Sequence, residues 1–240
     1  MTHVTIIGTG TMGQAIAGVL TKGGATVDLV GHADTDADVS GDIVVLAVPY
    51  PALDDVLATH GDGLEGKVVV DITNPLNFET YDSLTVPADS SAAAELAQRL
   101  PGARVLKAFN TTFAATLASG SVGGAPTTVL IAGDDAAAKT ALSDLVTAGG
   151  LRALDAGSLS RARELEALGF LQIKLAAAQQ VPWTGGSPFS PSRAGGASQS
   201  DFCRSSADMM CRTALMSPRW VNAWGKLPRW RPLAASISSA

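Results

Sequence analysis

The sequence predicts an α/β chain built around a doubly wound, mostly parallel sheet. Three observations carry that prediction. Short apolar runs alternate with Ala-rich stretches of helical period, the order that parallel βαβ units produce. Two of the runs, DIVVLAV at 42–48 and KVVVDI at 67–72, are continuous rather than alternating, as in strands covered on both faces. Between the first run and the first helical stretch stands the turn Gly8-Thr-Gly10-Thr-Met-Gly13.

Each element can be justified in turn. His3–Ile7 is a first strand and Met12–Lys22 a helix; Thr26–Val30 is a second strand bounded by Gly31. About eleven residues, Gly31–Gly41, separate that strand from the next. A doubly wound domain normally places a helix and a third strand there, so the sheet is expected to lack both. Asp42–Val48 is the next strand, and Ala52–His60 a short helix with Pro51 near its start. Lys67–Ile72 is stopped by Asn74-Pro75, and Ser91–Leu100 is a helix capped by Ser90 or Ser91 and ended by Pro101-Gly102. Arg104–Phe109 and Thr127–Ala132 are strands, Asp135–Ala148 a helix and Arg152–Asp155 a last short strand. Leu159–Gln180 is the longest helical pattern, and its Leu165, Leu168, Leu171 and Leu175 form a stripe expected to be buried against the sheet or a second copy.

Composition divides the chain. Of its 240 residues, 46% are hydrophobic and 16% charged, ample for a core and far from a disordered, collagenous or disulfide-scaffold chain. Up to Gly186 there are 10 Lys+Arg and 20 Asp+Glu, a net of −10; from Ser187 onward there are 7 Lys+Arg and 2 Asp, a net of +5. Both cysteines, Cys203 and Cys211, and Trp220, Trp224 and Trp230 fall in the second part. The expectation is a folded body at 1–186 and an irregular basic tail at 187–240. The C-x₇-C spacing matches no standard metal or redox site. The basic Trp/Arg run could be an anchoring arm for an acidic surface. The composition also fits a non-native reading of GC-rich DNA, the favoured alternative. No run approaches ~18 apolar residues and no basic n-region opens the chain, so a cytoplasmic protein without a membrane span is expected. The acidic body gives no reason to expect nucleic acid.

The glycine turn follows an apolar strand and opens a helix, the context that a dinucleotide-binding, Rossmann-type fingerprint requires. Gly8 permits the tight turn, Gly10 lets backbone approach a pyrophosphate, and Gly13 allows helix and strand to pack closely. The bland alternative is a tight turn without ligand. At the end of the second strand, His32 and Thr35 could receive a 2′-phosphate, while Asp34 could hold ribose hydroxyls or merely shape a surface turn. Ala47-Val48-Pro49-Tyr50-Pro51 and Asp71-Ile-Thr-Asn74-Pro75 also follow strands at their carboxyl ends, where ligands of such sheets lie. So does the run from Lys107 to Phe113. Asn110 and Thr111 could position a heteroaromatic substrate, whereas Lys107 should face away from Asn110 by strand alternation. His3, His32 and His60 lack ligand spacing, so no metal is expected. Glu164 and Glu166 flank Leu165 and are expected on a solvated or ion-paired face.

GTGTMG, DIVVLAVPY, KVVVDITNPLNFET, VLKAFNTTFA, LIAGDD and ARELEALGFLQ together resemble the NADPH-dependent coenzyme F-420 reductase family (F420 below), over about residues 3–186. The resemblance implies hydride transfer between NADP(H) and an 8-hydroxy-5-deazaflavin, with rings stacked about 3–3.5 Å apart and no protein acid or base. It implies that Thr9, Gly10, Thr11 and Met12, framed by Gly8 and Gly13, line the phosphates. His32 would lie beside the 2′-phosphate, Ala47, Val48 and Pro49 would flank the nicotinamide, and Asn74 and Asn110 would border the ring cleft. Ala33 stands where the family usually carries an arginine. Two other readings stay open. One is an NAD(P)-dependent reductase of a small imine or carbonyl, with Lys107, Tyr50 or Asp71 as proton donor. The other is a dinucleotide-binding sensor without catalysis. A homodimer through the Leu165–Leu175 stripe is the expected assembly.

Overall fold

The computed structural model describes residues 1–186, so the expectations for the tail, its two cysteines included, lie outside the described residues. β1 (His3–Ile7) runs into α1 (Thr11–Lys22) and β2 (Thr26–Val30). β3 (Ile43–Leu46) leads through a 3₁₀ turn at Tyr50–Ala52 to α2 (Leu53–His60), and β4 (Val68–Asp71) is followed by α3 (Ala92–Arg99). After β5 (Arg104–Lys107) come α4 (Ala114–Ser119), a hairpin of β6 (Ser121–Val122) and β7 (Ala125–Pro126), and β8 (Thr128–Gly133). α5 (Ala136–Ala148), β9 (Arg152–Gly157) and α6 (Ala162–Ala177) complete the order.

The main sheet has the order β2-β1-β3-β4-β5-β8-β9. Every neighbouring pair is parallel except β5 and β8, which are antiparallel with Lys107 opposite Ala132. β2 is therefore an edge strand, and the short connection after it carries neither helix nor strand, as its length requires. In their place Val39, 6% exposed, plugs the core on the α2 face. Gly41 lets the chain re-enter the sheet: a Cβ there would sit 2.5 Å from the Thr5 backbone nitrogen.

Strand alternation divides the core. Val4, Ile6, Ile43, Val45, Val68 and Val70 pack with Ile16 and Leu20 of α1 and Leu142 and Val146 of α5. Val44, Leu46 and Val69 pack on the other face with Leu53, Leu64 and Leu96. Fully buried aliphatic side chains of this kind contribute ~1.5–3 kcal/mol each before chain entropy is set against them.

Two expectations for the last helix need correction. The leucine stripe is split: Leu165 is buried against Leu130 and Ala132, but Leu171 and Leu175 are 51% and 37% exposed. The buried face of α6 is instead Ala162, Leu165, Glu166, Gly169, Gln172 and Ala176. Small residues are needed there because α6 crosses polar loops at close range: a Cβ on Gly169 would meet Asn74 Oδ1 at 2.4 Å and the Asn110 carbonyl at 2.9 Å. Glu166 is accordingly ion-paired but not solvated, being fully buried.

Candidate functional site

The glycine turn is held by packing at two of its three glycines. Gly8 has φ 120°, and a Cβ there would lie 2.2 Å from the Ala47 carbonyl oxygen. A Cβ on Gly13 would lie 2.0 Å from the Gly8 carbonyl oxygen. Gly10 is different, since nothing lies within 4 Å of the place its Cβ would take. Close packing therefore does not require a glycine at this position. Gly10 also caps α1 without a side-chain hydrogen bond, and no acidic residue occupies the first turn. Ser91 and Asp135, by contrast, cap α3 and α5 through the N–H groups of Ala94 and Ala138. The first N–H groups of α1 thus have no acceptor within the helix and present a donor set for an anion at a helix N-terminus. The residues present fit a dinucleotide pyrophosphate.

At the end of β2, Asp34 Oδ2 accepts a hydrogen bond from the Gly31 N–H at 2.9 Å, and the Asp34 N–H donates to the Gly31 carbonyl at 3.1 Å. Asp34 thereby closes its own turn and leaves His32 and Ala33 exposed at the tip. Thr9 lies beside this turn, its Cγ2 3.7 Å from where a Gly31 Cβ would be.

From the glycine turn a cleft of about 670 Å³ opens across the carboxyl ends of the strands. Gly10, Thr11, Met12, Ala47, Val48 and Pro49 line it, and Asn74 and Asn110 border its floor. Thr111 lies outside it, buried beside Thr116 and Thr127, and Thr112 lines the cleft instead. Sequence reading did not single out Phe78, Tyr81, Phe113 or Trp183, which also line it.

The floor is braced by a buried polar network. The chain leaves β5 through Phe109, whose φ of 62° is left-handed, and this turn carries Asn110 across to α6. Asn110 Nδ2 donates to the Leu165 carbonyl at 2.8 Å and to Asn74 Oδ1 at 3.0 Å, while Asn74 Nδ2 donates to the Asn110 carbonyl at 3.0 Å. Thr73 Oγ1 and Asn110 Oδ1 are buried without a partner.

Beneath lies Lys107, fully buried. Its Nζ donates to Asp71 Oδ2 at 2.7 Å and to the Thr73 carbonyl at 2.6 Å, and it stands 2.8 Å from Glu166 Oε1. The two Glu166 oxygens also accept from the Ala92 and Ala93 N–H groups at 3.0 and 3.3 Å. One ammonium faces two carboxyls, and burial pushes the Glu166 carboxyl above its ordinary range despite Lys107. Lys107 serves the network and not the cleft surface, but strand alternation is not the reason, because β5 ends at Lys107 and Asn110 lies beyond the left-handed turn at Phe109. Glu166 was the residue missed; the signal available was a lysine and an aspartate at the carboxyl ends of two apolar strands, a buried charge that calls for partners.

None of the three proposed proton donors is free. Lys107 and Asp71 are in the buried network. Tyr50 donates its hydroxyl to Glu95 Oε2 at 2.8 Å, and its pKa is pushed up to about 12 by burial, then by that bond and the Glu95 charge. Among the described residues no cluster of His, Cys, Asp or Glu could hold a metal ion, and no helix is long and apolar enough to cross a membrane.

Comparison with known proteins adds the following. Residues 27–75 match the family model described as NADP oxidoreductase, coenzyme F420-dependent. The F420-dependent NADP reductase of Methanocaldococcus jannaschii is 32% identical over 161 residues, which are 65% of this chain and 72% of that protein. A metalloreductase of Rattus norvegicus is 37% identical over 126 residues, but these cover 52% of this chain and 24% of that one. A solved structure from Arthrobacter sp. FB24, provisionally assigned as an F420-dependent NADP reductase, superposes with a TM-score of 0.70. It is 25% identical and covers 80% of this chain and all of its own.

Proposed function

Because the chain belongs to the family of F420-dependent NADP reductases, we propose that it transfers a hydride between NADP(H) and the deazaflavin coenzyme F420 across the cleft that opens from Gly10. The observation that carries this reading is the unfilled space at Gly10, next to unpaired helix N–H groups and continuous with a cleft that no charged side chain lines. The two carriers supply the donor and acceptor carbons. The protein binds, orients and excludes water. The first turn of α1 holds the pyrophosphate, with Thr9, Thr11 and Met12 around it, and the tip at His32 faces the 2′-phosphate. Ala47, Val48 and Pro49 form a stiff wall for the nicotinamide. Asn74 and Asn110, locked to each other and to α6, fix the floor on which the rings must lie, with Thr112 taking the place that sequence gave to Thr111. Tyr50, Lys107 and Asp71 are all engaged elsewhere, which weighs against reduction of an imine or carbonyl that needs a proton from the protein.

The test is spectroscopic. NADPH added to the protein and oxidised F420 should bleach the deazaflavin absorbance, with NADH less effective. Tight NADPH binding without any loss of that absorbance would sink this reading in favour of a sensor. We place the activity in residues 1–186 and in the cytoplasm. Exposed Leu171 and Leu175 on α6 support a homodimer, which a monomeric mass by light scattering would end.

A further inference from the structure

The mouth of the cleft carries an unusual surface. Among the described residues seven large apolar side chains are exposed, and three of them, Phe78, Tyr81 and Trp183, line this one cleft. Scattered single apolar residues need no explanation, but a cluster around a cavity marks a contact site. These aromatics are also fixed in place. Phe78 and Tyr81 meet edge to face, with ring centres 6.0 Å apart. Their loop is turned by Asn77, whose Oδ1 accepts from the Glu79 and Thr80 N–H groups at 3.0 and 3.2 Å. An ion pair between Asp82 and Lys174 ties the loop to α6. Trp183, 52% exposed, stands edge-on to Phe113 with centres 5.0 Å apart, and the Gly185 N–H closes a turn on the Pro182 carbonyl at 2.8 Å. Rigid aromatic walls around a cleft with no charged lining suit a flat conjugated ring rather than a small charged substrate.

We propose that Trp183, seated on Phe113, and the Phe78–Tyr81 pair form the acceptor half of the cleft, with Trp183 a specificity-determining residue that stacks on the acceptor ring. This rests on the hydride-transfer reading above and adds to it the residues that select a planar polycyclic acceptor. The dinucleotide takes the opposite wall, from Gly10 to Pro49. The last turn after α6 thereby becomes part of the site.

The experiment uses the full chain with Trp183→Ala and Trp183→Phe. Trp183 is half exposed and follows the last described helix, so both variants should keep the parent melting temperature. Stacking of this kind predicts a rise in KM for F420 of about tenfold in Trp183→Ala. KM for NADPH should stay within about twofold, and Trp183→Phe should recover most of the F420 affinity. F420 should also quench the tryptophan emission of the parent, and the Trp183→Phe variant should lose the larger part of that quenching although Trp220, Trp224 and Trp230 remain. Turnover with unchanged KM for F420 and undiminished quenching would overturn the proposal and leave the hydride-transfer reading standing. Quenching that depends on Trp183 without turnover would support the aromatic half-site while removing the reaction. Absence of both would remove both.

Discussion

Three glycines in one turn do different jobs, and substitution separates them. Gly8 and Gly13 face backbone oxygens, so an added methyl must displace the chain; Gly10 faces open space. Gly8→Ala, also strained by its φ, is expected to cost about 1–3 kcal/mol of stability. Gly10→Val should cost no more than the N-cap preference of α1, about 1 kcal/mol, and weaken NADPH at least tenfold, as titration calorimetry can measure. Unaltered NADPH affinity in that variant would falsify the cradle. Glu166 gives a pH prediction. Its folded carboxyl titrates above its ordinary value because it is buried. Between those two values the folded protein holds a proton that the unfolded chain has released, so stability falls as pH rises through that window. Urea unfolding of Glu166→Gln from about pH 5 to 8 should show a flatter profile than the parent. The motif glycines were legible because strand, turn and helix stand in the right order. Glu166 was not, because its partners Lys107 and Ala92 come from elements far away in sequence.

Elements were legible where they are long and periodic, and lost where they are short. β1, β2, α1 and α5 lie within a residue of expectation at each end. The strands at 42–48 and 104–109 were read too long, because their last residues are apolar yet leave the sheet as loops that build the cleft. α4 and the β6–β7 hairpin escaped altogether; six helical residues and two-residue strands are too brief for any period to register. α6 was found but rotated. Leucine spacing named one face, whereas close approach to Asn74 and Asn110 demands the face bearing Gly169. Gly169→Ala is expected to destabilise the protein by about 1–3 kcal/mol, seen as a lower urea midpoint. It should reduce turnover by more than its loss of stability explains, since the displaced helix carries the Leu165 carbonyl that holds Asn110. Turnover unchanged in the folded variant would show that the floor tolerates the shift.

At the scale of the whole molecule, the missing unit after β2 leaves that strand as a largely exposed edge of the sheet. The break in charge after Gly186 separates an acidic body from a basic stretch. A chain ending at Gly186 is expected to reduce F420 with NADPH at a rate within about twofold of the full chain and to unfold at the same temperature. A large loss would mean that the basic stretch contributes to the site. The network under the cleft also sets an order of events during synthesis. Glu166 receives the Ala92 N–H from 74 positions back, and the Leu165 carbonyl holds Asn110 from 55. Contacts so distant along the chain form late. The glycine cradle can close as soon as β1, α1 and β3 are made, but a nascent chain halted before Leu159 has Lys107 beside Asp71 and the Thr73 carbonyl without Glu166, and a floor with no roof beam. On the reading proposed above, the dinucleotide half of the site is therefore born first, and the acceptor half waits for α6, the last helix among the described residues, and for Trp183 beyond it.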